Sequence, residues 1–441
     1  MKNKRLGIVG IAVTAALALA GCGGTTAAVS SDGKIVGHEV SWLLSRPADG
    51  SVIAVVKKVA AEYAKTHPGF KLNLITTPDR PSYLQKLETL AAADQLPELF
   101  DTDATPFTKK LVDQGKLVDV GKFLKDLGMY DQFRPLALDY QRFDDGSLYM
   151  VPFEFEMEFF WYNKALFKKA GVSVPKTLDD MTGLCAPLRS KGIIPIAVDG
   201  QDGWPLERYM AYQPFRLAGP DYLNKLKRGD VKLSDQVGTK AAQWISDLGS
   251  DKCFQEGFSS QGYTDARDLF TSGKAATYQI GTWELAALTS PDLPAGVKGN
   301  IDFFTLPTVA GAVTAANDYT VVSGIGMGIS KKKFDPLVKD FLSYLLHHYS
   351  AKIVESGHMS PIIGSDVVIP KGASELYARA LSEEAKLGTK VAFPWDTQLD
   401  PTTNTRLQQE LVLLAQGQVT PQEFTKTIDD TIAQNAPKFF K

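Results

Sequence analysis

The sequence predicts an α/β fold, because strand-like and helix-like segments alternate along most of the chain. Its 441 residues are 44% hydrophobic and 22% charged, which is typical of a soluble globular protein. A chain of this length predicts two to three domains. Strands that alternate with helices form a parallel sheet, and ligands bind beyond the carboxyl ends of its strands. The loops that follow the predicted strands are therefore the first places to expect a functional site.

The first α/β stretch contains three strand–helix units. Each strand is a short apolar segment, and each helix has apolar residues at helical spacing. The strands are predicted at 40–44, 72–76 and 99–100, and the helices at 51–66, 81–93 and 106–114. His67-Pro68-Gly69 ends the first helix, because proline and glycine both oppose its continuation. The loops at 45–50, 77–80 and 101–105 are expected to line the ligand-binding edge of the sheet.

The segment 152–162 is the most informative predicted strand. Its aromatic residues and a methionine alternate with Glu154, Glu156 and Glu158, so the two kinds of side chain lie on opposite faces. One interpretation is an edge strand with a solvated acidic face. The other is a strand that leaves one domain, lines a cleft with carboxylates and enters the next domain. We favour the crossing strand, because Phe160 and Tyr162 continue the acidic row as aromatic residues.

A second α/β stretch follows. Thr177 and Asp180 have the spacing of a capping box and predict the start of a helix. Strands are predicted at 193–198, 275–280 and 321–329, and a helix at 336–348. The remaining C-terminal region is predicted to be mostly helical, with a loop at Pro394-Trp395-Asp396.

The first 22 residues have the pattern of an export signal. A basic start is followed by an uncharged run from Leu6 to Ala20, which is too short to span a membrane. Leu19-Ala20-Gly21-Cys22 resembles the lipobox of bacterial lipoproteins, although an ordinary signal peptide with a chance cysteine is the alternative. We therefore expect a signal peptide at 1–21, lipidation of Cys22 and a flexible tether at 22–35. The protein would then be exported and lipid-anchored at the outer face of the cytoplasmic membrane.

Charge and residue spacing exclude several other classes. The 48 basic and 50 acidic side chains nearly balance, and no basic run follows the leader, which argues against a nucleic-acid partner. The five histidines are scattered and no Cys/His group has metal-ligand spacing, so neither a metal nor a cofactor is predicted. Cys185 and Cys253 are either a disulfide, which an oxidising compartment allows, or two separate core residues.

Six short motifs occur in a fixed order after Cys22. They are Trp42; Ala91-Ala92-Ala93 with Leu96-Pro97-Glu98; Gly146 with Tyr149-Met150-Val151-Pro152 and Trp161-Tyr162-Asn163-Lys164; Ala170-Gly171-Val172 with Pro175-Lys176-Thr177; Phe270 with Gly273-Lys274-Ala275-Ala276 and Gly281-Thr282-Trp283; and Leu306-Pro307. Together they resemble the extracellular solute-binding lipoproteins of ABC importers, in the carbohydrate-binding, maltose-binding-protein-like branch (family 1). The chain departs from the family pattern at Glu98, Leu178 and Thr277.

The resemblance implies a type II periplasmic-binding-protein-like fold with two discontinuous α/β lobes and a ligand cleft between them. The lobes would comprise 36–146 with 326–376, and 147–325 with 377–441, joined by strands that cross near 146–156 and 322–327. It also implies a monomer that performs no chemistry. Such a protein closes around an oligosaccharide or monosaccharide and delivers it to an ABC permease.

Candidate sugar-binding residues lie at the strand ends and in the loops. Aromatic rings stack on the apolar faces of a sugar, while carboxylates and arginines hydrogen-bond its hydroxyls. Residues of these types at the predicted ligand edge are Trp42, Arg46, Asp101, Asp103, Glu154, Glu156, Trp204, Trp283, Trp395 and Asp396. The alternative role of each is packing or a surface ion pair.

Two other functions use similar residues. A secreted glycoside hydrolase also needs aromatic residues and paired carboxylates, but its carboxylates lie on opposite sides of the scissile bond. Glu154 and Glu156, on one face of one strand, do not provide that arrangement. The same fold binding a polyamine or a peptide is the third possibility, which the carboxylates allow and the loop tryptophans disfavour.

Overall fold

The computed structural model describes residues 35–46, 50–77, 80–356, 358–362 and 375–440. The predicted signal peptide, Cys22 and almost all of the predicted tether lie outside these ranges. Within them, no helix is both long enough and apolar enough to cross a membrane.

The described residues form two sheets surrounded by helices. The strands are β1 (Glu39–Leu43), β2 (Lys71–Ile75), β3 (Leu99–Asp101), β4 (Met150–Val151), β5 (Glu156–Asn163), β6 (Ile194–Ala197), β7 (Ala275–Gly281), β8 (Ile301–Phe304), β9 (Val321–Val322) and β10 (Met327–Ile329). The first helices are α1 (Ser51–Ala64), α2 (Arg80–Ala92), α3 (Pro106–Asp113), α4 (Val120–Asp126), α5 (Pro135–Tyr140), α6 (Lys164–Ala170), α7 (Leu178–Gly183), α8 (Cys185–Arg189) and α9 (Trp204–Ala218). The later helices are α10 (Tyr222–Arg228), α11 (Gln236–Ser250), α12 (Tyr263–Thr271), α13 (Leu285–Leu288), α14 (Pro336–Glu355), α15 (Glu375–Ser382), α16 (Pro401–Ala415) and α17 (Pro421–Asn435).

The first lobe contains the sheet β2-β1-β3-β10-β4. Its first three strands are parallel, as predicted, whereas β10 runs antiparallel to both β3 and β4. Helix α14 packs against α1, and their apolar faces share one core with β1. The carboxyl ends of β1 and β3 therefore meet at one edge of this sheet, where the sequence predicts the ligand site.

The second lobe contains the sheet β6-β7-β5-β8, with β9 paired to the start of β5. A separate and larger core joins this sheet to α9, α11, α16 and α17. The predicted capping box at the start of α7 is present, since Thr177 and Asp180 hydrogen-bond reciprocally to each other's backbone. The structure also joins Cys185 and Cys253 by a disulfide, which ties α8 to the segment after α11.

Two predicted strands differ from the structure, and both lie where the chain crosses between the lobes. Strand β5 begins at Glu156, so the first four residues of the predicted 152–162 strand form a crossing instead. Both faces of β5 are buried, so the alternative interpretation of an edge strand with a solvated acidic face is ruled out. The single strand predicted at 321–329 is wrong, because β9 joins the second sheet and β10 the first. Gly324, with a positive φ of 64°, lies in the crossing between them and breaks the extended backbone.

Candidate functional site

Asp101, at the end of β3, organises the first-lobe edge of the cleft. Its Oδ1 accepts a hydrogen bond from Trp42 Nε1 (3.0 Å), and its Oδ2 accepts from Ser45 N (2.8 Å) and Arg46 Nε (3.1 Å). Trp42 and Asp101 are both fully buried, and the Trp42 ring packs against Phe153. This places Trp42 in the core, where it orients Asp101. Trp42 therefore has no exposed surface with which to make the expected direct contact with a ligand.

Arg46 connects β1 to both crossings. Its guanidinium donates to Asp101 and to the carbonyl of Ile325, and its Nη1 lies 3.6 Å from Glu154 Oε2. Glu154 lies against Gly324, where an added Cβ would collide with its carboxylate. Burial raises the pKa of Glu154 to about 7, with Arg46 opposing and Glu156 reinforcing the shift. The crossings are therefore held together by a largely buried charge cluster that contains three predicted site residues, Arg46, Asp101 and Glu154.

Glu156 lies on the second-lobe side of the same crossing. Its carboxylate accepts a hydrogen bond from Thr282 Oγ1, and its other oxygen lies 3.6 Å from His358 Nδ1. His358 is buried, and its Nε2 has no hydrogen-bond partner among the described residues. Burial lowers the pKa of His358, but Glu156 and Glu154 outweigh burial and the net shift is upward. His358 therefore places an additional donor close to the predicted carboxylates.

Charged residues of the two lobes face each other across the cleft. Asp103, in the loop after β3, pairs with Arg80 at the start of α2 (3.2 Å). Burial raises the pKa of Asp103; Arg80 opposes this shift, and the charge of Asp396 in the second lobe reinforces it. Asp103 Oδ1 is buried and makes no side-chain hydrogen bond to a described residue.

Arg208 is the centre of the second-lobe face. Its Nε donates to Glu158 Oε1 (2.9 Å), its Nη1 donates to Asp396 Oδ1 (2.5 Å), and its guanidinium lies 5.0 Å from the centre of the Trp204 ring. The two carboxylates raise the pKa of Arg208 further, against the effect of burial, so the group stays charged. Arg208 therefore brings together three regions that are distant in the sequence.

Trp204, Tyr263 and Trp283 form an aromatic wall on the same lobe. All three rings are partly exposed, and those of Trp204 and Tyr263 lie 6.5 Å apart. Trp283 Nε1 donates to the Tyr263 hydroxyl (2.8 Å), which in turn donates to Glu284. The Trp283 ring lies directly over Gly281, where any Cβ would collide with it. The wall combines apolar faces with a carboxylate at its edge.

Trp395 is placed differently from these rings. It is almost fully buried and stacks on Tyr222, with ring centres 6.1 Å apart. It forms part of the wall of a cavity of about 320 Å³ between α5, α9 and the segment 389–398. Asp396, the next residue, points instead to Arg208. Trp395 therefore serves mainly as packing, while its neighbour belongs to the charged face of the cleft.

Sequence reasoning identified eight of the residues that gather around the cleft, namely Arg46, Asp101, Asp103, Glu154, Glu156, Trp204, Trp283 and Asp396. It did not name Arg80, Arg208, Tyr263 or His358 as site residues, and it placed Glu158 only in the acidic row of the crossing strand. Arg80 lies in a loop expected to line the cleft, and Arg208 follows Trp204 at helical spacing, so both had a usable signal. His358 had none, because only the fold brings it next to Glu156.

Known proteins share both the sequence pattern and the fold. The family model for bacterial extracellular solute-binding proteins matches residues 49–348. A multiple sugar-binding protein of Streptococcus mutans is 23% identical over 338 residues, covering 75% of each chain. A chitin oligosaccharide binding protein has a TM-score of 0.80 at 23% identity, covering 91% of this chain and 99% of its own. The GacH receptor of Streptomyces glaucescens, solved unliganded and with acarbose, has a TM-score of 0.70 at 19% identity, covering 92% and 100%.

These matches and the two-lobe architecture agree. The structural neighbours are type II periplasmic solute-binding proteins with the maltose-binding-protein-like fold. The family match spans the first sheet apart from β1, all of the second sheet and both crossings between the lobes. The chain belongs to the bacterial extracellular solute-binding proteins.

Proposed function

We propose that this protein is the substrate-binding lipoprotein of an ABC importer and captures a carbohydrate between its two lobes. The observation that carries the proposal is the aromatic wall of Trp204, Tyr263 and Trp283 beside buried carboxylates. Partly exposed rings stack on the C–H faces of a sugar, and carboxylates accept hydrogen bonds from its hydroxyls. The names of the relatives, which include sugar-binding and oligosaccharide-binding proteins, agree with this substrate class.

The remaining parts of the proposal concern how the protein works in the cell. Cys22 carries the lipid anchor at the outer face of the cytoplasmic membrane, and the protein acts as a monomer that delivers its ligand to the permease. The lobes divide as 36–146 with 326–376 and as 147–325 with 377–441, apart from β4 (Met150–Val151), which pairs in the first-lobe sheet and is followed by Phe153 in the same core. The protein performs no chemistry on the sugar. Cys22→Ala is expected to release the protein from the membrane fraction, and continued retention would contradict the anchor.

Tryptophan fluorescence titration against a panel of mono- and oligosaccharides tests the ligand class. Binding is expected to shift the emission, because two of the wall residues are tryptophans. Trp283→Ala and Trp204→Ala are each expected to weaken binding by at least tenfold, whereas Trp244→Phe, at a buried site in α11, is expected to leave it unchanged. A polyamine or peptide that binds where no sugar does would refute the proposal. Release of reducing ends from an oligosaccharide would point to a hydrolase instead.

A further inference from the structure

The three glutamates of the acidic row each pair with a different cation. The pairs are Glu154 with Arg46 (3.6 Å), Glu156 with His358 (3.6 Å) and Glu158 with Arg208 (2.9 Å). An arginine side chain stays charged at every physiological pH, whereas an imidazole loses its charge near neutral pH. The middle pair is therefore the one whose attraction depends on pH.

Glu156 and His358 depend on each other for charge compensation. Both side chains are buried, and within the described ranges His358 is the one cation at ion-pair distance from Glu156. Glu156 Oε1 and His358 Nε2 make no hydrogen bond to any described residue. A buried carboxylate that loses its cation is destabilised. Loss of the proton from His358 therefore disfavours the present position of the Glu156 carboxylate.

His358 lies on a segment between the two lobes. Within 358–362, Met359 belongs to the second-lobe core and Ile362 to the first-lobe core. The charged and titratable groups around the pair are Glu154 on the crossing, Glu284 beside the aromatic wall, Tyr377 on α15 and Arg134, which donates to the Ser360 carbonyl (2.8 Å). Burial lowers the pKa of His358, whereas the surrounding carboxylates raise it by more. The imidazolium is therefore present at low pH and is lost as the pH rises through this raised pKa.

Glu156 connects His358 to the aromatic wall. Its Oε2 accepts a hydrogen bond from Thr282 Oγ1, and Thr282 directly precedes Trp283, whose ring covers Gly281. We propose that His358 is a positioning residue for ligand capture, whose imidazolium holds Glu156 against Thr282 and thereby fixes Trp283 in the wall. This inference rests on the proposed function in assigning Trp283 to the sugar, and it adds a dependence of binding on pH.

NMR of the intact, exported protein, labelled with ¹³C at its histidine rings, tests the pairing. The resonance that is missing in His358→Asn assigns His358. This resonance is expected to titrate above pH 6.5, and Glu156→Gln should lower the proton affinity of His358 by about tenfold or more. The resonance of the exposed His347 should not respond to Glu156→Gln. An unchanged proton affinity of His358 in Glu156→Gln would overturn the inference.

Tryptophan emission of the ligand-free protein tests the connection to the wall. Between pH 6 and 9, the wild-type emission should change over the range in which His358 titrates. The change should be absent in His358→Asn, which keeps a neutral amide, and in Trp283→Phe, but present in the matched variant Trp244→Phe. Thr282→Val should leave the titration of His358 in place and remove the emission change, because it deletes the hydroxyl that bonds to Glu156.

The outcomes separate this inference from the proposed function. An emission change that survives in His358→Asn would assign the titration to Glu154 or Glu284, and the inference would be wrong. For each sugar that binds in the titration described above, the wild type should bind roughly fivefold or more tightly at pH 6 than at pH 9, and His358→Asn equally at both. Sugar binding with the same affinity at both pH values in the wild type would overturn the inference and leave the proposed function intact. If no sugar binds, the proposed function fails, and the emission test decides independently whether His358 positions Trp283.

Discussion

Replacing Arg208 by methionine is expected to destabilise the protein strongly. Arg208 is buried and donates to Glu158 and Asp396, so its removal leaves two carboxylates without a cation. Each charged hydrogen bond contributes about 1.5–3 kcal/mol, and removing one partner of a buried ion pair costs about 3–5 kcal/mol in total. Methionine keeps the apolar contact with Trp204. We therefore expect the free energy of unfolding to fall by about 4 kcal/mol.

Urea unfolding at pH 7.5, followed by circular dichroism, measures this loss. Two features identify the unpaired carboxylates as its cause. First, the loss should shrink as the pH falls towards 5, because burial raises the pKa of Glu158 and protonation of its carboxylate removes one of the unpaired charges. Second, the same Arg208→Met change made in a Glu158→Gln/Asp396→Asn background should cost much less, because the partners are then neutral.

A matched surface variant controls for the loss of an arginine. Arg228→Met removes an exposed guanidinium that pairs with Asp230 at 3.0 Å, and no measurable change in unfolding is expected. If Arg208→Met costs less than about 1 kcal/mol, the buried pairs are not what holds these segments together. If it costs the same with and without its carboxylate partners, the loss comes from packing, and the reasoning from charge is wrong.

Three further predictions concern the crossings and the disulfide. Burial raises the pKa of Glu154 from 4.5 to about 7, so the stability that this group contributes is present below pH 4.5 and is lost as the pH rises through 7. Between pH 4.5 and 8, the free energy of unfolding of Glu154→Gln in urea should therefore rise by about 3 kcal/mol relative to that of the wild type. A difference between the two proteins that does not change with pH would contradict this. Both Gly324 and Gly311 have a positive φ, so replacing either by alanine should cost roughly 1 kcal/mol of backbone strain. Gly324→Ala should cost clearly more than Gly311→Ala, because only the alanine methyl at position 324 would collide with Glu154. Equal losses of stability would refute the collision. Cys185 and Cys253 are 68 residues apart, so replacing both by alanine should lower the free energy of unfolding by on the order of 4 kcal/mol. A reductant should lower the melting temperature of the wild type but not that of the double variant.

The regular parts of the fold could be predicted from the sequence because local signals specify them. The helix predicted at 51–66 and observed at Ser51–Ala64 has apolar residues at helical spacing and ends before a Pro-Gly pair. The segment 321–329 shows where local signals fail. Its residues read as one glycine-rich strand, but Val321 pairs with β5 in one sheet and Met327 with β3 in the other. The two ends of the segment pair in different sheets, so the strand must break between them, and Gly324 with its positive φ lies at that break.

The candidate site was predictable in residue type more than in role. Trp42 was expected to contact a ligand, but its indole N–H donates a hydrogen bond to Asp101 and its ring packs in the core. A tryptophan at the end of a strand has the same pattern in either role, and the orientation of its side chain depends on neighbours such as Phe153. Arg208 shows the reverse case: helical spacing from Trp204 places it on the right face, yet its partner Asp396 is 188 residues away. Pairings of this kind follow from the tertiary fold alone.

The charged residues at the crossings connect ligand capture to the lobe arrangement. Arg46 extends from the first sheet to the Ile325 carbonyl, on the segment between β9 and β10, and approaches Glu154 on the segment between β4 and β5. Rotation of one lobe against the other must change these separations, because the partners lie on different segments of the hinge. On the opposite side, Asp103 and Arg80 face Asp396 and Arg208 from separate lobes. A ligand that hydrogen-bonds to both faces at once binds the closed arrangement more tightly than the open one, and that difference in affinity is what a binding protein needs in order to close.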